Sequence, residues 1–259
     1  MSTTFKVSFS ILVISIIGVI LIVKTSHCNK NITENTDLFA SDSTAIKKVH
    51  NLIILDESGS MYGLERVSIN GVNETIQTIK DTHHSNSDQE QLLTLVTFSK
   101  QMNTRVVYHY SSHKIDDVEK LSIYNFKPKG TTPLWDVIGR MCTSLESDID
   151  VETLVLVTII TDGLENASTE YNRESIKNLI TRLSDTGWVF TYIGANQNAL
   201  FEANSIGIKN ALQYNSSEIG TEEMWRKEND SRQKFYKRSQ TVISRVQLQK
   251  GYFNDSSDE

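Results

Sequence analysis

Cysteine and proline are nearly missing from this 259-residue chain, which holds two of each. The two cysteines, Cys28 and Cys142, exclude a disulfide framework and any cysteine-based zinc module. A basic excess is also missing. Lys and Arg number 26 against 32 Asp and Glu, a formal net charge of -6, and non-specific nucleic-acid binding needs a basic footprint. No Gly-x-Ser-x-Gly elbow and no Gly-x-x-x-x-Gly-Lys-Ser/Thr loop is present, so neither an α/β-hydrolase nucleophile nor nucleotide hydrolysis has a basis. Apolar residues are not short: a 38% hydrophobic fraction supports a sizeable core and excludes a wholly disordered chain. Length allows one generous domain or two small ones.

The apolar residues are unevenly spread. From Val7 to Val23 no residue is charged, and only Ser8, Ser10, Ser15 and Gly18 interrupt the apolar run. At about 1.5 Å per residue this run covers roughly 25 Å of a ~30 Å hydrocarbon core. Lys6 and Lys24 flank it with stems long enough to snorkel. The run is longer than a usual signal-peptide core and no Ala-x-Ala site comes after it, so residues 7–23 are expected to be an uncleaved signal-anchor helix after a short flank, 1–6. Cleavage near Ser26-His27-Cys28 is the competing reading, and Cys28 lacks the flanking residues of a lipidation site. A signal-anchor exports the chain on its carboxyl side, which places the remaining residues outside the cytoplasm, although Lys6 and Lys30 nearly balance the positive-inside bias. Residues 24–47, rich in Asn, Thr, Ser and Asp, read as a polar tether. The sequons at Asn31 and Asn73 matter only in a eukaryotic secretory pathway, and chance explains them in a chain of this composition.

Beyond the tether, short apolar runs alternate with helix-period stretches. Val49–Leu55, Leu92–Phe98, Leu154–Ile160 and Trp188–Ile193 read as buried strands, Thr104–Tyr108 and Ala211–Tyr214 as weaker ones. Between them Ile69, Val72, Ile76 and Ile79 share a helix face, as do Leu134, Val137, Ile138, Met141 and Leu145, and then Ile176, Leu179, Ile180 and Leu183. Thr132 before Pro133 reads as a helix cap with proline at the first helical position. Residues 216–247 read as a long, charged, solvated helix and 248–259 as a tail, frayed from Asn254 to Glu259. Strands alternating with helices imply an α/β fold, a doubly wound and mainly parallel sheet with helices on both faces.

In such sheets ligands bind where loops leave the carboxyl ends of the strands. Three polar motifs fall there: Asp56-Glu57-Ser58-Gly59-Ser60, Gly130-Thr131-Thr132-Pro133 and Thr161-Asp162-Gly163. Together they offer carboxylates and hydroxyls without nitrogen or sulfur, a donor set for a hard divalent cation such as Mg²⁺ or Mn²⁺. Positions 56, 58 and 60 alternate, so their side chains can aim at one point. A phosphatase that places an Asp after its first strand needs a second acid two residues on; Ser58 stands there and removes the usual general acid/base. The histidines His27, His50, His83, His84, His109 and His113 lie near none of the three motifs in sequence.

The string Asp56-x-Ser58-x-Ser60, the Gly-x-Thr loop and the Thr-Asp-Gly after a hydrophobic strand resemble the von Willebrand factor type A (vWA) domain, over roughly residues 48–215. Thr132-Pro-Leu-Trp-Asp136, Ile159–Ser168 and Gly187–Asn196 are similar to its stand-alone bacterial members. The resemblance implies a Rossmann-like fold and a metal-ion-dependent adhesion site. In it Ser58, Ser60 and Thr132 would be direct ligands, and Asp56 and Asp162 an acidic pair acting directly or through water. Thr131 competes with Thr132, and the Gly-x-Thr spacing favours Thr132; Glu165 either tunes the site or is an exposed surface acid. The resemblance also implies a binder, not a catalyst, whose metal takes an Asp or Glu of a protein partner. An adaptor role beside a MoxR-type ATPase is the alternative, and oligomeric state is open.

Overall fold

The first β-strand, β1 (Lys48–Asp56), shows why the sheet lies at the centre of the molecule. Its side chains alternate between two apolar layers: Ile53 and Leu55 enter one, Leu52 and Ile54 the other. A strand buried on both faces favours apolar residues on both sides, and the few buried polar side chains, Asn51 and Thr158 among them, take hydrogen-bond partners. The fourth strand, β4 (Leu154–Thr161), does the same, with Leu154, Leu156 and Ile160 on one side and Val155, Val157 and Ile159 on the other.

The computed structural model describes residues 46–195, 198–241 and 245–253. Between β1 and β4 run α1 (Glu65–Ser85), β2 (Glu90–Lys100), β3 (Thr104–Lys114) and α2 (Leu134–Asp148). After β4 come α3 (Arg173–Asp185), β5 (Val189–Ala195), α4 (Ala199–Ser205), β6 (Asn210–Tyr214), α5 (Glu218–Ser239) and the single turn α6 (Arg245–Leu248). The strands form one sheet in the order β3-β2-β1-β4-β5-β6. Only β3 is antiparallel, hairpinned onto β2; β2, β1, β4, β5 and β6 all run parallel. Their carboxyl ends therefore share one edge, and three of the loops at that edge carry the polar motifs.

Helices α1 and α5 cover one face and contribute to its apolar layer; α2, α3 and α4 cover the other. All the helix-face residues anticipated from periodicity in α1, α2 and α3 are buried. Cys142, on the inner face of α2, is a buried free thiol in that layer, a small core residue.

Two expectations are corrected. The last helix is not a solvated face: α5 ends at Ser239 and buries Met224, Trp225, Phe235 and Tyr236 against α1 and the sheet. Gly71 of α1 makes this approach possible, because a Cβ there would stand 2.1 Å from the Trp225 ring. The charges of α5 mislead because Glu228 and Arg232 are buried and pair with one another across one helical turn, Nη2 to Oε1 2.7 Å. Arg232 also donates to Thr158 and Asn51 of the sheet. The stretch just after it is anchored too, with Leu248 and Tyr252 in the core and the Tyr252 hydroxyl on Glu228, while residues 254–259, read as frayed, lie outside the described residues. Finally, Pro133 stands just outside α2, which begins at Leu134, and Thr132 makes no cap.

Residues 7–23, read as a membrane anchor, and most of the polar tether lie outside the described residues. Among the described residues no helix is long and apolar enough to cross a membrane. The Asn73 sequon is consumed by packing: its side-chain amide exchanges hydrogen bonds with the backbone of Leu121, and Thr75 is buried.

Candidate metal centre

Asp56 is the last residue of β1, and the chain turns sharply behind it. The Ser58 backbone N–H donates to Asp56 Oδ1 at 2.7 Å, an Asx-type turn that folds the Ser58 and Ser60 side chains back over the strand end. The two serine hydroxyls lie 3.1 Å apart, and Ser60 Oγ donates to Asp162 Oδ1 at 2.6 Å. On β4, beside β1 in the sheet, the Thr161 hydroxyl donates to Asp56 Oδ2 at 2.6 Å. Ser216, just beyond β6, donates to Asp162 Oδ2 at 3.3 Å.

The second loop is clamped to β2. Lys100 and Thr131 exchange backbone hydrogen bonds of 2.8 and 2.9 Å. Gly130 has φ +75°, and a Cβ on it would meet the Lys100 carbonyl oxygen at 2.2 Å, so only glycine fits. The Gly130 carbonyl accepts from Gly59 N–H at 2.9 Å and ties this loop to the first. The clamp sets the two threonines apart. Thr131 is exposed and gives its hydroxyl to the Lys100 carbonyl at 3.1 Å, whereas Thr132 is buried and turned towards the third loop.

Gly163 shows where the motifs converge. A Cβ built there would stand 3.3 Å from Thr132 Oγ1, 3.6 Å from Ser60 Oγ and 4.0 Å from Asp56 Oδ2. The absent side chain leaves a cradle faced by oxygens of the first two motifs, and Asp162 of the third is hydrogen-bonded to one of them, Ser60. Its donors are carboxylate and hydroxyl only, which suits a hard divalent cation. Among the described residues no group of three or more His, Cys, Asp or Glu side chains is arranged to hold a metal.

Burial pushes the Asp56 carboxyl up to about 6, against the hydrogen bonds from Thr161 and Ser58, and the Asp162 charge adds to the rise. Burial raises Asp162 as well, against hydrogen bonds from Ser60 and Ser216. A cation bound beside two carboxyls raised in this way would favour their ionised forms and offset the cost of burying them.

Glu165 is neither a surface acid nor turned to the cradle. Its carboxylate accepts from the backbone of Trp135, Ala167 and Ser168 and from the Ser168 hydroxyl, at 2.6–2.8 Å, and so knots the third loop onto the first turn of α2. Asp136 acts similarly. Although burial opposes it, hydrogen bonds from the Tyr171, Thr169 and Glu170 N–H groups hold its carboxyl below the ordinary range. The sequence signal for Asp136 is its place in the Thr-Pro-Leu-Trp-Asp stretch.

Glu57 carries no such signal. It points away from the cradle, is buried, and takes Thr97, Arg105 and the Lys127 N–H as partners. It fixes the first loop from behind. Two of the histidines serve elsewhere: His83 and His84 pair with Asp116 at the end of α1.

A parallel sheet of this strand order, with an oxygen-lined cradle over its central carboxyl ends, defines a class of protein. The chain belongs to the von Willebrand factor type A domain family, whose model matches residues 52–227. Among solved structures it is similar to proximal thread matrix protein 1 of the mussel byssus, described with a zinc-occupied MIDAS motif. The two are 17% identical with a TM-score of 0.52, over 70% of this chain and 47% of that one. It is also similar to a vWA protein of Catenulispora acidiphila (16% identity, TM-score 0.48, 73% and 43% coverage). A third is the manganese-loaded TRAP protein of Plasmodium vivax (19% identity, TM-score 0.49, 66% and 70% coverage). At these identities the likeness is one of fold, and the chain spans about half the length of the mussel protein. No curated protein matches it.

Proposed function

We propose that this protein is a cation-dependent binding module. Asp56, Ser58, Ser60, Thr132 and Asp162 would hold Mg²⁺ or Mn²⁺, and the ion would take an Asp or Glu carboxylate of a protein partner. The observation that carries this reading is the approach of Thr132, Ser60 and Asp56 oxygens to the side-chain position that Gly163 leaves empty. The zinc-occupied motif of the mussel protein supports it. Three of the five donors are neutral hydroxyls, so a bound divalent ion keeps residual positive charge and attracts an external carboxylate. Ser60 and Asp162 hold one another in place before any ion arrives, and the Asx-type turn presets Ser58.

The tethering part of the proposal rests on sequence. The apolar run 7–23 anchors the chain in a membrane and holds the domain on the extracytoplasmic side.

Thermal melts test the metal reading. Wild type should melt higher in Mg²⁺ or Mn²⁺ than in EDTA, by about 2.7 kcal/mol of added stability at a hundredfold excess over Kd. Asp162→Ala should show no such rise. Equal melting temperatures for wild type with and without metal would dismiss the reading.

A further inference from the structure

A cavity of about 470 Å³ opens between β3 and the segment after it, residues 119–127. That is room for a small molecule. Of the three polar motifs only the first reaches its wall, through Glu57, whose side chain points away from the cradle. Three cations line the cavity, Arg105, Lys120 and Lys127, against two acids, Glu57 and Glu119. Glu57 is matched by Arg105, Nη1 to Oε2 2.8 Å. Among the described residues Lys120, Lys127 and Glu119 form no ion pair, so the wall keeps one positive charge in excess.

β3 is bulged at this wall. Leu95 of β2 pairs with Tyr110 and Val96 with Tyr108, which leaves His109 as the extra residue. A bulge re-aims a side chain, and here His109 meets Thr97, Nε2 to Oγ1 3.1 Å. The Thr97 hydroxyl gives its single proton to Glu57 Oε2 at 3.0 Å. His109 Nε2 is therefore the donor to Thr97, and in the neutral ring Nδ1 is left as an acceptor with no partner among the described residues. Burial holds the His109 ring below its ordinary range, against the Glu57 carboxylate nearby, so the ring is neutral at neutral pH. Two tyrosines complete the wall, Tyr108 at 50% and Tyr124 at 81% exposure. Exposed rings beside cations and acceptors suit a ligand that has a C–H face as well as polar groups, because the negative face of an aromatic ring attracts C–H edges.

We propose that this cavity binds a sugar bearing one anionic group, a carboxylate or a phosphate. Lys120 and Lys127 take the anion, His109 Nδ1 and Glu119 accept from ring hydroxyls, and Tyr108 or Tyr124 packs on the C–H face of the ring. Arg105 stays with Glu57 and holds the floor. A neutral sugar leaves the lysines unmatched, and a small oxyanion without a ring leaves the tyrosines and the acceptors unused. The site is separate from the cation centre and needs no metal.

Equilibrium dialysis of labelled ligands against the full chain tests the proposal, with glucuronate, glucosyl phosphate, glucose and inorganic phosphate as probes, each in Mn²⁺ and in EDTA. Glucuronate, glucosyl phosphate or both should bind about tenfold or more tighter than glucose and inorganic phosphate, and the tighter of the two names the anionic group. EDTA should leave this binding unchanged. The double variant Lys120→Gln/Lys127→Gln should remove the advantage over glucose, and Tyr124→Ser should weaken binding about fivefold. All three side chains are exposed, so both variants should melt as wild type does. Glucose bound as tightly as the sugar anions, inorganic phosphate bound as tightly, no binding of either sugar anion, or full affinity in the double lysine variant would each overturn the proposal. Binding that disappears in EDTA would place the anionic group on the cation and overturn it as well.

Discussion

Ser60 and Asp162, 102 residues apart in the chain, meet through a 2.6 Å hydrogen bond from the serine hydroxyl to the aspartate Oδ1. One residue lies on the loop after β1 and the other directly after β4, and these two strands are parallel neighbours in the sheet. The contact is therefore a consequence of strand order, and it prearranges two of the five proposed ligands.

The two adjacent threonines should separate cleanly. Thr132→Val keeps the shape but removes the hydroxyl that faces the cradle, and should abolish stabilisation by Mn²⁺. Thr131→Val removes only the bond to the Lys100 carbonyl at the exposed clamp, with a stability loss of about 0.5–1.5 kcal/mol. Its response to Mn²⁺ should match wild type. A reversed pattern in metal-dependent melting would reassign the ligand.

Gly163→Ala places a methyl 3.3 Å from Thr132 Oγ1 and 3.6 Å from Ser60 Oγ. Both contacts are tight but not prohibitive, so the domain should fold. The methyl occupies the cradle, and Mn²⁺ affinity measured by calorimetry should fall about tenfold or more, roughly 1.4 kcal/mol. Wild-type affinity in this variant would place the ion elsewhere.

Acid should displace the cation. Burial holds the Asp56 carboxyl at about 6, above its ordinary 3.8. In the metal-free protein, the folded state therefore binds this proton more tightly than the unfolded chain. Its contribution to stability is present below about 3.8 and lost as pH rises through about 6. The cation takes the deprotonated carboxylate, so proton and metal compete. Apparent Mn²⁺ affinity should be flat above about pH 7 and should weaken below about pH 6, approaching tenfold per unit. A calorimetric titration series across that range with constant affinity would count against Asp56 as a ligand.

The buried pair under α5 should be costly to break. Arg232→Met leaves Glu228 fully buried without its cation, a loss of about 3–5 kcal/mol by urea unfolding. Burial already raises the Glu228 carboxyl, and without Arg232 it should be protonated in the folded state. The double variant Glu228→Gln/Arg232→Met should recover part of the loss. A single variant within about 1 kcal/mol of wild type would show that the pair is not structural.

Much of the fold is legible in the sequence because its periodicities are strong. β1 and β4 are built around the apolar runs Leu52–Leu55 and Leu154–Val157, since central parallel strands are buried on both faces. The inner faces of α1, α2 and α3 repeat at three and four residues. The C-terminal helix misleads for the complementary reason. Glu228 and Arg232 look like solvent-facing charge in a linear pattern, and only their partners, Thr158, Asn51 and Tyr252 from distant segments, make burial possible. Glu165 misleads in the same way, because its four donors come from the third loop and from the first turn of α2.

The sequence by itself determined the chemistry of the centre. It placed Asp56, Ser58, Ser60, Thr132 and Asp162 at the ends of apolar runs or at a helix start, and those residue types can offer a cation only oxygen. The tertiary structure decided which oxygens meet. It turned Thr131 outward through the Lys100 clamp and kept Glu165 and Asp136 as anchors between the third loop and α2. The physical reason is strand order. Hydrogen bonding between parallel strands aligns their carboxyl ends whatever lies between them in sequence, and a linear pattern carries no record of that alignment.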